Sequence, residues 1–347
     1  MRRMSTLLVL LVTCLAWPEQ ATHKLVTFDV PHAGKGAGQG TVGGGIVTNG
    51  SIVGNYTDTN NVSHGYLRAP DGSFTKFDFP NSHGTFPVGM NSALAISGYF
   101  SDANGVFHGF QRSASGQFVQ FDAPDAGKAS GQGTVAENIN TAGEVAGYYC
   151  DSNGAFHGFL RTPGGQITEF DAPGAGQGPG LGTMPTTFSG LTDAGAITGN
   201  YTDSEFTTHG FLRSPDGEIT TIDPPGSIFT FVFSMNANNI VVGSYLNLNG
   251  NGNGFSRSSD GTFTIFEAPN AAVTAPTNIN ATGEIVGSYD QAPEFTGGFA
   301  RRLNGKIFEF SVPAASQGTF PYANNASGEI SGTYVDAQGA NHGFAVQ

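Results

Sequence analysis

Residues 134–173 read TVAENIN-TAG-EVAGYYCD-SNG-AFHGFLRT-PGG-QITEFDAP, and the fold class follows from this pattern. Its four longer segments are rich in Val, Tyr, Phe and Thr, which favour strands. The three short segments between them carry Gly or Asn, which accept the positive φ angles that hairpin turns require. The stretch therefore predicts four short antiparallel strands joined by tight turns.

The same pattern recurs along the chain with a period of about 45 residues. Each copy has a Gly-x-aromatic triplet in its second strand and a Gly-aromatic pair in its third strand. The triplets begin at Gly54, Gly98, Gly147, Gly199, Gly243, Gly287 and Gly332. The pairs end at Tyr66, Phe110, Phe159, Phe211, Phe255, Phe299 and Phe344. The recurrence indicates a repeat architecture rather than several unrelated domains.

A four-stranded repeat of this length is typical of a β-propeller blade, whereas β-solenoid repeats are shorter. The sequence predicts an all-β, seven-bladed β-propeller with four antiparallel strands per blade. Residues 24–30 read as a fourth strand and residues 341–346 as a third strand. Pairing these two ends completes the last blade and closes the ring, which leaves no free sheet edge there. We expect one domain over residues 24–347.

Residues 1–23 have the features of an export signal followed by a short leader. Arg2 and Arg3 precede an apolar run from Leu7 to Ala16, which ends in a small residue suited to cleavage. The run is too short to span a bilayer stably, so we expect a secreted or periplasmic protein without a membrane span. Lipid attachment at Cys14 is the alternative, although Thr13 departs from the residues usual before such a cysteine.

The chain is acidic and poor in cysteine. It carries 27 Asp and Glu against 14 Lys and Arg, a formal net charge of −13. This balance repels nucleic acids and anionic membranes, so neither is an expected partner. Cys14 and Cys150 are the 2 cysteines and provide no disulfide framework. We interpret Cys150 as a small strand residue, and we expect a monomer held by packing and hydrogen bonds.

The repeat resembles a known family. The segment His157-Gly158-Phe159-Leu160-Arg161 and its copies, with the patterns DGxFTxFDxP and INxxGEIVGxY, are similar to the HAF family of extracellular repeats. The resemblance covers the whole chain after the leader, and it implies secretion and a propeller-like fold. Gly158 departs from the family pattern, which has Ala between His and the aromatic residue. The resemblance implies no catalytic residues.

Five repeats place a histidine directly before the Gly-aromatic pair. These are His64, His108, His157, His209 and His342, with Asn253 and Gly297 in the other two repeats. Residues spread one per blade do not converge on a single catalytic or metal centre. We interpret the histidines as structural, with ring nitrogens bonded to backbone or to a turn acid in the same blade. The alternative is one shallow ligand pocket per blade.

Two sets of acids fall at the same end of the blades. One follows the second strand (Asp58, Asp102, Asp151, Asp203 and Asp336), and the other follows the fourth strand, as at Asp122 and Asp171. Such acids commonly cap their own turns. An acidic face would also attract Ca²⁺ or a cationic or hydroxyl-rich ligand. No turn has the dense spacing of a calcium loop, so we predict no metal site and no cofactor.

Threonine recurs at the predicted start of the innermost strand. The positions are Thr41, Thr85, Thr134, Thr186, Thr230, Thr274 and Thr319. If this strand lines the channel, the hydroxyls would ring its mouth. A hydrogen bond at the strand end is the structural interpretation, and the strand propensity of Thr favours it.

Three connections into an innermost strand are longer than the others, at residues 32–40, 125–133 and 174–182. They do not match a phosphate-binding loop, and no helix follows them, so nucleotide binding is rejected. Either they form a ligand-binding rim or they are copied inserts without a ligand. The candidate ligand-binding residues on and beside this rim are Lys35, Gln39, Thr41, Lys128, Gln132, Thr134 and Thr186.

These features favour a secreted binding or surface-interaction module for an extracellular glycan or protein, with carbohydrate as the candidate ligand. One alternative is an extracellular polysaccharide lyase or hydrolase with its site at the channel mouth. Another is a structural envelope protein. No Ser-His-Asp, paired-Glu or metal constellation stands out from the repeat, so the sequence favours binding over catalysis.

Overall fold

The computed structural model describes residues 24–186, 189–291 and 295–347. The predicted export signal, with Cys14, lies outside the described residues. The described residues form an all-β structure of 28 strands. They contain no helix of the length and apolar character that a membrane span requires.

The strands are arranged in antiparallel groups of four, and within each group successive strands are neighbours. The first strands are β2 (Gly40–Ile46), β6 (Gly84–Met90), β10 (Gly133–Ile139), β14 (Gly182–Pro185), β18 (Ser227–Met235), β22 (Val273–Ile279) and β26 (Gly318–Asn324). The second strands are β3 (Ile52–Thr57), β7 (Ile96–Ser101), β11 (Val145–Cys150), β15 (Ile197–Thr202), β19 (Val241–Asn247), β23 (Ile285–Gln291) and β27 (Ile330–Val335). The third strands are β4 (Ser63–Arg68), β8 (Phe107–Arg112), β12 (Phe156–Arg161), β16 (Thr208–Arg213), β20 (Gly252–Arg257), β24 (Phe295–Arg301) and β28 (Asn341–Val346). The fourth strands are β5 (Phe74–Phe77), β9 (Phe118–Phe121), β13 (Ile167–Phe170), β17 (Ile219–Ile222), β21 (Phe263–Phe266), β25 (Ile307–Phe310) and, from the start of the chain, β1 (Leu25–Phe28).

Hydrogen bonds join these groups into three sheets of eight, twelve and eight strands. Within a sheet, a short parallel pairing links a third strand to the next first strand, as between Phe107 and Gly133. The strand β1 pairs antiparallel with β28, with Leu25 opposite Val346. The predicted pairing of the N-terminal strand with the last group is therefore present. Strand β2 also contacts β26 and β27, so the first and last groups of the chain are adjacent.

The hydrophobic core lies between neighbouring groups. The third-strand aromatic residues, from Tyr66 to Phe344, are all 0% exposed. Phe159 belongs to a cluster with Val145 and Tyr149 of its own group and Phe121 of the preceding group. This aromatic column is therefore buried between neighbouring groups.

The glycine of each Gly-x-aromatic triplet makes room for this packing. A Cβ atom on Gly147 would lie 2.1 Å from the carbonyl oxygen of Val135 and 2.9 Å from the ring of Phe159. A side chain at this position would therefore push the first strand and the third-strand ring apart. The recurrence of Gly in the second strand follows from the close approach of these two neighbours.

Candidate functional site

At one end of the groups, each of five histidines lies between two aspartates. Nδ1 of His157 is 2.9 Å from the carboxylate of Asp171, and its Nε2 is 3.8 Å from that of Asp151. The same arrangement recurs at His64 (Asp58 and Asp78), His108 (Asp102 and Asp122), His209 (Asp203 and Asp223) and His342 (Asp336 and Asp29). The predicted bond between a histidine and a turn acid is confirmed. We call this the His–Asp end.

Strand register brings these side chains together. His157 lies directly opposite Tyr149 on the neighbouring strand, and their rings stack with centroids 4.9 Å apart. On the other side, Gly158 pairs with Phe170, so the next residue, Asp171, lies beside the imidazole. The contacts are therefore set by pairing within one group of strands.

The other acid of each set shapes its own turn. The carboxylate of Asp102 accepts the backbone N–H groups of Val106 and Asn104 at 2.9 and 2.8 Å. The bond from Val106, followed by that from Asn104, holds the pKa of Asp102 below its usual range. The predicted capping of these turns is present, and both acid sets lie at one end of the strands.

The described residues include no group of three or more His, Cys, Asp or Glu placed to hold a metal ion. Two groups also lack the histidine. In one of them Asn253 takes its place, where it donates to Glu267 and accepts from Asn247. In the other, Gly297 lies opposite Tyr289 and leaves the aromatic ring without an imidazole partner.

The pH dependence of stability should report on this end of the molecule. The hydrogen bond with Asp29, together with that to Asp336, raises the pKa of His342 above 6.5. A raised pKa in the folded state means that protonated His342 stabilises the protein fully below the unfolded value, and that this contribution is lost as the pH rises through the folded value. Asp336 behaves oppositely. Burial opposes the shift, but the N–H of Ala340 and His342 lower the pKa of Asp336 below 3.8, so its contribution is lost as the pH falls.

We therefore expect the wild-type protein to lose about 0.5–1 kcal/mol more stability than His342→Gln between about pH 6 and about pH 8.5. Urea melts across this range measure the difference. His83→Gln is the control, because His83 takes part in none of the ion pairs formed by the described residues. Identical pH profiles for the wild type and His342→Gln would contradict the prediction.

The long connections hold their own shape through their glutamines. Oε1 of Gln39 accepts the N–H of Gly36, and its Nε2 donates to Asn61 at 2.9 Å. Oε1 of Gln132 accepts the N–H of Ala129 at 3.1 Å. Lys35 and Lys128 are exposed at the same loops. Ligand binding by these four candidates stays a prediction, and the two glutamines have a structural task as well.

The predicted threonine column is buried. Thr41 and Thr134 are 0% exposed, and each Oγ1 accepts a backbone N–H at 2.9 Å, from Val30 and Ala123 respectively. Thr85, Thr183, Thr274 and Thr319 make the same bond to the connection that precedes them. The strand-end hydrogen bond is therefore confirmed at these six positions, and these hydroxyls do not ring an open mouth. Thr230 is also buried, but its Oγ1 has no hydrogen-bond partner among the described residues, because Pro224 holds the place of the donor and has no N–H.

Thr186 does not belong to this column. Thr183 takes the equivalent place, one residue into β14, while Thr186 lies after the end of that strand. Its Oγ1 donates to the carbonyl oxygen of Phe233 in the next group, at 2.8 Å. Thr186 was wrongly assigned to the column because this repeat has extra residues between Pro185 and the following turn, which shift the expected place of the threonine.

A cavity of about 330 Å³ lies at the opposite end, where the first strands run into their turns. We call this the cavity end. Its walls come from every first-strand segment, including Gly45, Asn91, Asn140, Leu191, Asn236, Asn280 and Asn325. Apolar side chains such as Met90, Met235 and Ile279 alternate with the amides. A concave site of mixed apolar and amide character suits a small ligand.

The amides at the rim of this cavity link one group to the next. Nδ2 of Asn280 donates to the carbonyl oxygen of Asn325 at 2.8 Å, and Asn325 donates in turn to Val47 at 3.0 Å. Asn91, Asn140 and Asn236 make the equivalent bond to the following group. Meanwhile Oδ1 of Asn280 accepts N–H groups of its own turn. The rim amides are therefore held in fixed orientations.

Two residues of the cavity wall are distinctive. Asn324 is buried, its Nδ2 donates to Glu284, and its Oδ1 has no hydrogen-bond partner. Asp193 is exposed and accepts the N–H of Thr141 at 2.8 Å. Among the described residues that line the cavity, Asp193 is the one with a charged side chain. The wall thus encloses an unsatisfied acceptor and exposes one negative charge.

This cavity was not among the sites predicted from the sequence. Its signal was visible as an asparagine that precedes the first turn of most repeats, for example in Asn280-Ala281-Thr282-Gly283. Asparagine before a turn is ordinarily a local cap, and these residues do cap their turns. The bonds from one group to the next could not be seen without the tertiary arrangement.

Solved structures of other proteins share this fold. The chain is similar to a streptogramin B lyase, with a TM-score of 0.60, 14% identity, and coverage of 94% of this chain and 98% of that one. It is also similar to the virginiamycin B lyase from Staphylococcus aureus, with a TM-score of 0.61, 14% identity, and coverage of 94% and 99%. A puromycin hydrolase matches with a TM-score of 0.54 and 13% identity over 87% of this chain and 50% of its own length.

At these identities the similarity concerns the fold alone. No protein-family model matches the chain, and no curated protein is similar enough in sequence to match it. The resemblance to the HAF repeats therefore stays a prediction.

Proposed function

We propose that this chain is a secreted, seven-bladed β-propeller that acts as an extracellular binding module, with its ligand site in the cavity end. The amide-lined cavity is the observation that carries the proposal. It collects one segment from each repeat, which only a ring arrangement of the groups accommodates simply.

Two contacts between the first and last groups support closure of the ring, one at its periphery and one near its axis. At the periphery, β1 completes the last group by pairing with β28. Near the axis, Asn325 of the last repeat donates to Val47 of the first. A propeller closed in this way leaves no free edge between its first and last blades.

The chemistry of the cavity favours a neutral, hydroxyl-rich ligand. Fixed amide groups exchange hydrogen bonds with hydroxyls, and apolar walls pack against carbon-bound hydrogens. No cationic side chain of the described residues lines the cavity, and Asp193 repels a carboxylate. We therefore place neutral saccharides before uronic-acid saccharides as ligands.

A second candidate is an extracellular lyase or hydrolase, and Glu137 favours it. This buried acid occupies the bulge of β10, where other first strands carry Val88 or Thr277. Burial and then the charge of Glu137 raise the pKa of Tyr99 to about 12, and the same two causes raise that of Tyr148. A carboxylate beside two phenols supplies acid and base groups. We place the binding module before the enzyme because Glu137 is buried, and a catalytic acid must reach the substrate.

The test is to screen the exported protein on an array of neutral, amino and uronic-acid oligosaccharides, and to measure hits by calorimetry. Two tryptophan substitutions then locate the site. Ala281→Trp places a large ring at the cavity end, and Ala129→Trp places one on the 125–133 connection at the His–Asp end; both alanines are exposed. We expect Ala281→Trp to weaken binding at least about tenfold and Ala129→Trp to leave it unchanged.

Each other outcome counts against the proposal. Loss of binding with Ala129→Trp alone would move the site to the rim of Lys35 and Lys128. Release of cleaved products, abolished by Glu137→Gln, would establish the enzyme. Absence of binding and of cleavage across the array would leave a structural envelope role.

A further inference from the structure

The His–Asp end carries an exposed apolar patch in one sector. It comprises Phe206, Ile228, Phe231, Leu248 and Val273, which belong to three consecutive groups. Phe206 and Leu248 lie in the turns between second and third strands, which define this end. Ile228 and Val273 lie at the starts of β18 and β22, which register brings to the same end. Leu248 is 81% exposed and Phe206 is 68% exposed.

Phe206 is held in a backbone conformation that a bulky residue rarely adopts. Its φ is +63°, and the equivalent positions in other turns carry Gly105, Gly154 and Gly339, also at positive φ. The turn is otherwise the same, because Asp203 accepts the N–H groups of the residues on either side of Phe206. An exposed phenylalanine in a left-handed conformation is strained and buries little of its ring, so folding of the chain does not account for it.

The side chain of Phe231 is exposed to solvent because the residues beside it on the neighbouring strands are small. In another repeat, Phe86 holds the same strand position and stacks on Tyr99 at 4.9 Å, and Tyr99 in turn contacts Phe107. Opposite Phe231 stands Ser244, and the neighbouring third strand begins with Gly252. The exposed apolar surface at Phe231 is therefore specific to this repeat, because the aromatic side chains that cover the same position in another repeat are absent here.

The surroundings of the patch carry one sign of charge. Between residues 174 and 300 the chain has two cationic residues, Arg213 and Arg257, and both end third strands at the cavity end. Five acids of the same sector lie at the His–Asp end, at Asp203, Glu205, Asp223, Glu267 and Asp290. This arrangement repels anionic membranes and acidic glycans, and it attracts a partner with positive charge.

We propose that this patch docks a basic peptide segment of an extracellular protein, one that alternates apolar and Lys or Arg side chains. The apolar side chains cover Phe206, Phe231 and Leu248, and the cationic ones face the surrounding carboxylates. Desolvated aromatic residues supply most of the affinity in such contacts, while the charges steer and orient the partner. This site is separate from the cavity, and neither proposal depends on the other.

The probe is a synthetic ten-residue peptide of alternating Lys and Leu, compared with a Lys–Ser and a Glu–Leu version by fluorescence anisotropy. The test variant of the full exported chain combines Phe206→Gly with Leu248→Ser. We expect it to bind the Lys–Leu peptide at least about tenfold more weakly than the wild type. We also expect Phe206→Gly to raise or keep the unfolding midpoint, because glycine relieves the positive φ. The readout thus separates binding from folding.

Leu303→Ser is the matched control, because Leu303 is 73% exposed in a turn between third and fourth strands, at the opposite end. It should bind the Lys–Leu peptide like the wild type. Equal affinity of the wild type for the Lys–Leu and Lys–Ser peptides would overturn the proposal, since charge alone would then explain binding. So would unchanged binding by the double variant.

Discussion

Replacing Phe159 by alanine should lower the free energy of unfolding by about 3–5 kcal/mol. The ring is 0% exposed and meets Phe121 of the preceding group edge to face, with centroids 6.0 Å apart. The ring also packs against Gly147, which has no side chain that could move into the space left by the substitution. Because strands of two groups enclose the ring, the cavity left by the substitution closes only in part.

Chemical denaturation with urea measures this loss. Val119→Ala is the control, because Val119 lies on the outer strand β9 and is 52% exposed. Its effect should stay within about 0.5 kcal/mol. A loss of less than about 1 kcal/mol for Phe159→Ala would show that the layer between neighbouring groups relaxes around the missing ring.

Replacing Gly133 by alanine should be at least as damaging, with an expected loss of about 3 kcal/mol or more. Gly133 has a φ of +118°, and a Cβ atom there would lie 2.0 Å from the carbonyl oxygen of Phe107. That oxygen belongs to the parallel pairing that links β8 to β10. The substitution therefore combines backbone strain with a collision that can be relieved only by separating the two groups.

The chain provides a control that separates strain from collision. Gly131 has a φ of +81° with nothing within 4 Å of the added Cβ. Gly131→Ala should cost only about 1 kcal/mol, the penalty of the left-handed conformation alone. Comparable losses for the two variants would contradict the explanation by collision. Val273 shows how another repeat avoids the clash, because it holds the equivalent place in the parallel pairing without a positive φ.

The elements predicted best are those whose contacts are made within one repeat. The turn after each second strand, the Gly-x-aromatic triplet and the pairing of His157 with Asp171 follow from hairpin register. Register depends on residue alternation and turn length, which are properties of a short stretch of chain. The repetition of the stretch then shows that the register is the same in each copy.

The threonines show where this local reasoning was insufficient. Whether the Thr134 hydroxyl faces a channel or a backbone N–H depends on the path of the connection from the preceding repeat. That path brings the N–H of Ala123 to 2.9 Å and buries the side chain. Thr186 was misassigned for a related reason, since extra residues in one repeat shift the count without changing the pattern of residue types.

Sequence patterns alone were enough to predict that the chain is built from repeated four-stranded units, and that its first strand pairs with its last group. Hairpin turns, strand alternation and the recurrence of Gly and aromatic residues encode these features locally. The three-dimensional arrangement was needed to show that the asparagines near Asn280 bond from one group to the next around a cavity, and that Phe231 lies uncovered beside Ser244. The asparagine bonds depend on how neighbouring groups meet around the cavity. The exposure of Phe231 depends on the small side chains beside it, which depart from the repeat.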